Sequence, residues 1–140
     1  MQYEKSCGAV VYRVRNHQIE YLIIQMQRGH HSLPKGHVEA HESEMQTARR
    51  EIQEETNLEV TIHRGFRHVV TYSPLPNVTK DVVFFVAKYR SGDVQVQWEE
   101  VCDSQWLPYE DAVVRLTYDT DRQVIRKAND FLHQRTSSST

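Results

Sequence analysis

Apolar residues fall along this chain in two rhythms, one suited to strands and one to helices. Ala9 to Val14 and Tyr21 to Gln27 are rich in valine, isoleucine and tyrosine, and the polar segment Arg15 to Gln18 separates them as a turn would. A hairpin is expected there. From Arg28 to His41 the periodicity vanishes, and Gly29, Pro34 and Gly36 mark a loop. Ser43 and Gln46 then fit a capping box, in which each side chain satisfies an orphan backbone donor at a helix start. The helix should run to about Thr56 and close at Asn57, since asparagine tolerates left-handed backbone. Val60 to Tyr72 and the apolar run Val82 to Ala87 predict two more strands, joined by the proline-bearing loop Ser73 to Thr79, and Ser104 to Leu107 predicts another. Tyr109 to Leu116 has the length of a short helix. Val124, Ala128 and Phe131, with Ile125 and Leu132 beside them, form the stripe of a final amphipathic helix. Strands and helices are interspersed and each helix has one side to bury, so the fold class is α/β, a mixed sheet with helices on its faces.

Size and charge narrow this picture. A chain of 140 residues with 39% apolar side chains builds one sizeable core, so residues 1–135 are expected to be a single domain and the polar residues 136–140 a disordered tail. The formal charge of -2 offers no overall footprint for a nucleic-acid backbone, and no long nucleic acid is expected as a partner. No secretory leader and no apolar run near the roughly 20 residues a bilayer requires can be found, which predicts a soluble, cytoplasmic protein without a membrane partner, expected as a monomer. Cys7 and Cys102 lack any metal-ligand or redox spacing and are expected as buried free thiols.

Chemistry concentrates in GHVEAHESEMQTARREIQEETNL, from Gly36 to Leu58. Glu51, Glu54 and Glu55 stand at i, i+3 and i+4, which puts their carboxylates on one edge of a helix turning about 100° per residue. Met45, Ala48 and Ile52 form an apolar stripe about a quarter turn away, so the helix can pack on a sheet while its acidic edge faces a cleft. Like charges this close repel, and hard divalent cations such as Mg²⁺ or Mn²⁺ relieve the repulsion. An arbitrary Glu-x-x-Glu-Glu is more often a solvated face. Here, however, Gly36, Glu42, Arg50, Glu51, Ile52, Glu54, Glu55 and Leu58 follow the spacing Gly-x5-Glu-x7-Arg-Glu-U-x-Glu-Glu-x-Gly-U, with U apolar, and Asn57 is the one fixed position that departs. At average composition such a coincidence has a chance of order 10⁻⁸ per starting position.

That spacing is the Nudix box, and from Cys7 to about His133 the chain resembles the Nudix hydrolases. The resemblance implies an α/β/α sandwich, hydrolysis of a phosphoanhydride bond in a nucleotide substrate, and one or more Mg²⁺ or Mn²⁺ ions. Carried over by position, Glu51, Glu54 and Glu55 become metal ligands, joined by a backbone carbonyl near Lys35 and Gly36. Glu42 supports the site and Arg50 orients the glutamates through charge-assisted hydrogen bonds. His41 stands where many boxes have glycine; a positive φ there would cost about 1 kcal/mol.

SLPKGHVE, KSCGAVVYR and GFRHVVTY are similar to segments of the diadenosine tetraphosphate hydrolase subgroup. That likeness implies asymmetric cleavage to ATP and AMP, with Tyr72 stacked on a base and Lys35, His37 and Lys80 against the polyphosphate. As residues of ordinary kind, Tyr72 would be a core tyrosine and the cations a solvated surface. His31 occupies a substrate-side position where the subgroup often has tryptophan. Glu100 is the candidate general base, with Glu99 beside it and Glu54 as the alternative within the box. The same box also serves RNA 5′ pyrophosphohydrolases, inositol pyrophosphate hydrolases and domains that bind nucleotides without turnover.

Overall fold

The computed structural model describes residues 1–96 and 99–138, with side chains described as far as residue 135. Its elements in chain order are β1 (Gln2–Arg15), β2 (Gln18–Met26), β3 (His31–Ser32), β4 (Lys35–His37), α1 (Glu44–Thr56), β5 (Glu59–Ile62), β6 (His68–Tyr72), β7 (Val78–Ser91), β8 (Val101–Pro108), α2 (Tyr109–Arg115) and α3 (Asp119–Ser138).

Two long strands organise the sheet. β1 pairs with β7 in parallel from Gln2↔Val78 to Tyr12↔Lys88, and the remaining strand pairs are antiparallel, so the sheet is mixed. Both long strands alternate between two covered faces. On one, Val10, Tyr12, Val82, Phe84 and Val86 pack with Ala112 of α2 and Val124, Ile125 and Ala128 of α3. On the other, Cys7, Ala9, Val11, Val83 and Phe85 pack with Ala48 and Ile52 of α1. A strand buried on both faces reads as a continuous apolar run rather than an alternating one, which is how β7 reads in the sequence. The result is an α/β/α sandwich. Among the described residues, no helix is long and apolar enough to cross a membrane.

The expected elements recur with three corrections. The segment Arg28 to His41, expected as loop, contains β3 and β4. β1 is long enough to offer the same edge to β2 through Tyr12–Arg15 and to β4 through Ser6–Gly8, which recruits the short segment Lys35–His37 into the sheet. The single strand expected over Val60 to Tyr72 is two, β5 and β6, running the same way along β7 with residues 63–67 looped out between Ile62↔Ala87 and His68↔Phe84. The backbone of α3 is helical through Ser138, into the tail expected to be disordered; residues 139–140 lie outside the described ones. Both cysteines are free; Cys7 is buried and Cys102 only partly so.

Candidate active site

The acidic helix is anchored at both ends by the residues its sequence offers. Ser43 Oγ accepts from the Gln46 backbone N–H and Gln46 Oε1 accepts from the Ser43 N–H, completing the capping box. Asn57 closes the helix at φ 66°, in the left-handed region, and His41 turns the preceding loop at φ 68°. Neither position needs glycine outright, because asparagine and histidine are among the less disfavoured residues there.

Gly36 and Glu51 fit together. A Cβ on Gly36 would lie 2.0 Å from the Glu51 Cδ, so glycine here leaves room for the Glu51 carboxylate, which any larger residue would displace. One residue earlier, the Lys35 backbone N–H donates to Glu55 Oε1 at 3.0 Å. Glu55 is buried, 2% exposed, and its carboxyl is pushed up to about 8, first by burial and then by the charge of Glu51, with Glu100 also contributing. Glu51 is raised as well, again chiefly by burial. Glu54, on the outer side of the edge, is half exposed.

Arg50 holds the acids in place. Its Nε donates to Glu42 Oε2 at 2.6 Å, its Nη1 to Glu51 Oε1 at 2.7 Å and Glu54 Oε2 at 3.1 Å, and its Nη2 to the His37 carbonyl at 2.9 Å. Glu42 also accepts from the Glu39 N–H and the Thr47 hydroxyl; these bonds, the Arg50 contact first, hold its carboxyl down to about 2. Glu42 thus stays ionised and fixes the arginine.

A cleft of about 670 Å³ opens beside this edge, and it brings together Lys35, Gly36, His37, Arg50, Glu51, Glu54, Glu55, Lys80 and Glu100. The Gln27 N–H donates to the Glu100 carbonyl at 2.8 Å, tying the chain before β8 to the end of β2. The structure does not bring His31 into the cleft. Its backbone N–H donates to Thr117 Oγ1 and its carbonyl accepts from the Thr117 N–H, which holds it against the α2–α3 connection, while its neighbour His30 lines the cleft instead. Adjacent residues of extended chain face opposite ways. Tyr72 also lies outside the cleft lining; it ends β6 opposite Lys80, 39% exposed, within electrostatic reach of Tyr118 and Asp121. Arg28, Glu39 and His30 line the cleft without a role in the sequence reading; Arg28 and His30 flank Gly29, and that turn was their only mark in the sequence.

The donor set suits a hard divalent cation. Its side-chain donors are all carboxylate oxygens, and Glu51 disfavours the charge of Glu55 as Glu54 does that of Glu51, a conflict that Mg²⁺ or Mn²⁺ would resolve. Among the described residues no three acidic, histidine or cysteine side chains are drawn into a closed cage; Arg50 instead engages Glu51 and Glu54 directly.

The NUDIX domain family matches residues 3–128 of this chain. The asymmetrical bis(5′-nucleosyl)-tetraphosphatase of Sus scrofa is 32% identical over 91% of this chain and 95% of its own length. The Caenorhabditis elegans protein of the same name is 34% identical over 91% and 96%. A crystal structure of a C. elegans Ap4A hydrolase binary complex superposes with a TM-score of 0.85 at 33% identity, covering 94% of this chain and 98% of that one. With the box glutamates gathered at one cleft, the chain belongs to the NUDIX family, as a hydrolase related to the asymmetrical bis(5′-nucleosyl)-tetraphosphatases.

Proposed function

We propose that this enzyme hydrolyses dinucleoside polyphosphates asymmetrically, releasing ATP and AMP from diadenosine tetraphosphate, with Mg²⁺ or Mn²⁺ held by Glu51, Glu54, Glu55 and a backbone carbonyl near Lys35 and Gly36. The observation that carries the reading is the single cleft in which these carboxylates face Lys35, His37 and Lys80. Its support from outside is the likeness over nearly the full length to relatives that bear this activity in their names.

When bound, the metal would neutralise phosphate charge and lower the pKa of an attacking water. The chain's own residues do the rest. Lys35 and Lys80 offset polyphosphate charge, and His37 donates where a phosphate oxygen needs a partner. Arg50, itself fixed by Glu42, keeps Glu51 and Glu54 turned toward the cleft. Glu100 accepts the water's proton; it lies close enough to act on both Glu51 and Glu55. Tyr72 stacks on a base beyond the polyphosphate.

Because the acidic edge occupies one place, a symmetric substrate with one base anchored presents a fixed phosphorus to the water. Diadenosine tetraphosphate in ¹⁸O-labelled water should therefore give ATP and AMP, with label in one product only. Two molecules of ADP would refute the anchoring geometry. No cleavage, alongside rapid release of pyrophosphate from 5′-triphosphorylated RNA, would move the assignment to an RNA 5′ pyrophosphohydrolase; turnover of an inositol pyrophosphate alone would move it to that class, and nucleotide binding without any turnover would make the domain a sensor.

A further inference from the structure

A pit of about 90 Å³ opens off the main cleft, sharing Met26, His30, Lys35 and Glu55 with it and reaching Asp121 in the first turn of α3. Asp121 is 5% exposed, and among the described residues its side chain makes no hydrogen bond or ion pair. A buried carboxyl without a partner is costly and calls for an explanation. Gln105 Oε1 is the one sealed side-chain oxygen that lacks a partner among the described residues, so the carboxyl of Asp121 is not sealed; its accessible surface opens into the pit.

The surroundings state what kind of group would meet it. The charges that act on Asp121 are those of Lys35, His30 and Arg122, all of one sign, and Glu55, the other acid that lines the pit, already accepts the Lys35 backbone N–H. Leu33 and Met26 supply apolar wall. Tyr118 is half exposed, and its ring lies 5.7 Å from the His30 ring at the pit. Flat and apolar sides with a hydrogen-bond acceptor at the far end match the edge of a heterocycle, and the volume is about that of three waters, enough for an edge and too little for a nucleoside. Lys35 stands on the boundary between pit and cleft, where the phosphate of such a nucleotide would lie.

We infer that Asp121 reads the nucleobase, its buried carboxyl accepting a hydrogen bond from the exocyclic amino group of adenine seated edge-on in the pit beside Tyr118. The inference rests on the reading that a nucleotide occupies the cleft, and it assigns the specificity of that site. A site built around a buried acceptor discriminates against a ligand lacking the matching donor, because the acceptor is then left unpaired.

The test is binding rather than turnover. AMP and purine riboside 5′-monophosphate differ only in the amino group, and calorimetry on the full chain should show AMP bound about tenfold or more tightly, a gap of the size a lost buried hydrogen bond produces. Asp121→Ala should bring the two affinities to within about threefold by weakening AMP alone, and Asp121→Asn, which keeps an acceptor oxygen, should retain most of the preference. Asp121→Leu, close in volume, carries the same expectation as alanine if that variant fails to fold. Equal binding of the two nucleotides by the wild type, no binding of either, or an unchanged ratio in Asp121→Ala and Asp121→Leu overturns the inference. Discrimination in binding without hydrolysis of diadenosine tetraphosphate would refute the proposed reaction and leave the reading of Asp121 standing.

Discussion

Glu55 and Asp121 are both carboxyls on helices, both almost wholly buried, and both line the pit with Lys35, yet the other charges around them differ in sign. Glu55 is raised by its own burial and then by the acids Glu51 and Glu100, and it accepts one backbone N–H. Asp121 is raised by burial alone, while every charge that acts on it is cationic. Burial by itself therefore does not define what an acid is for. Lys35 acts on both; Glu55 stands among further acids and suits a metal, while Asp121 stands among cations without a hydrogen bond and suits a neutral polar group.

The sharpest way to break this contrast is at the acidic edge. Glu54→Gln should lower kcat on the order of 100-fold or more at saturating Mg²⁺ while the circular dichroism spectrum stays native, because it removes one ligand charge from a half-exposed position. Normal turnover by that variant would mean that no carboxylate at Glu54 is needed. Away from the acidic edge, Tyr72→Ala should raise KM for diadenosine tetraphosphate roughly tenfold with little change in kcat, as loss of one stacked base does, and Tyr72→Phe should be nearly silent. If Tyr72→Ala instead lowers the melting temperature and leaves KM alone, Tyr72 is a packing residue.

Stability measures the same contrast without substrate. In the folded, metal-free protein Glu55 is pushed up to about 8 against an ordinary value of 4.5, so the fold bears a penalty that begins as pH rises above 4.5 and is complete above 8. Glu55→Gln should consequently raise the metal-free melting temperature at pH 8.5 by several degrees, an effect of roughly 2–4 kcal/mol at about 1.36 kcal/mol per pKa unit, and hardly change it at pH 4. Added Mg²⁺ should stabilise the wild type more than the variant. An equal gain at both pH values would show that packing, and not charge, sets the effect. The smallest change expected is at His41, where relief of the left-handed backbone by glycine is offset by the freedom glycine gains when unfolded; His41→Gly should alter stability by about 1 kcal/mol or less in chemical denaturation and leave kcat unchanged.

The acidic edge and the pit also differ in how far the chain alone reveals them. Glu51, Glu54, Glu55 and Arg50 lie within a turn and a half of one helix, and its caps at Ser43, Gln46 and Asn57 sit beside it in sequence, so local spacing suffices to place them. The pit is assembled from Met26 at the end of β2, Leu33 between two short strands, and Tyr118 and Asp121 at the start of α3. Those residues share no period. β4 stayed hidden for the same reason: Lys35–His37 has no strand signature of its own and becomes a strand only because β1 has edge to spare. Likewise, Val60–Ile62 and Val69–Tyr72 have strand composition, and the loop between them at residues 63–67 carries only Gly65 as its mark in the sequence. His31 and His30 differ by one position, and which of them faces the cleft depends on a backbone contact with Thr117 that sequence does not display.

The grip of Arg50 on Glu51 and Glu54 makes the guanidinium a resident competitor for the cation proposed to bind there. Any incoming cation must take over oxygens that are already engaged, so its apparent affinity is lowered by the work of loosening those contacts. A site arranged in this way keeps its shape without an ion, because Arg50 holds Glu51 and Glu54 in place. Occupancy would follow the free concentration of the ion around it rather than depend on loading during folding.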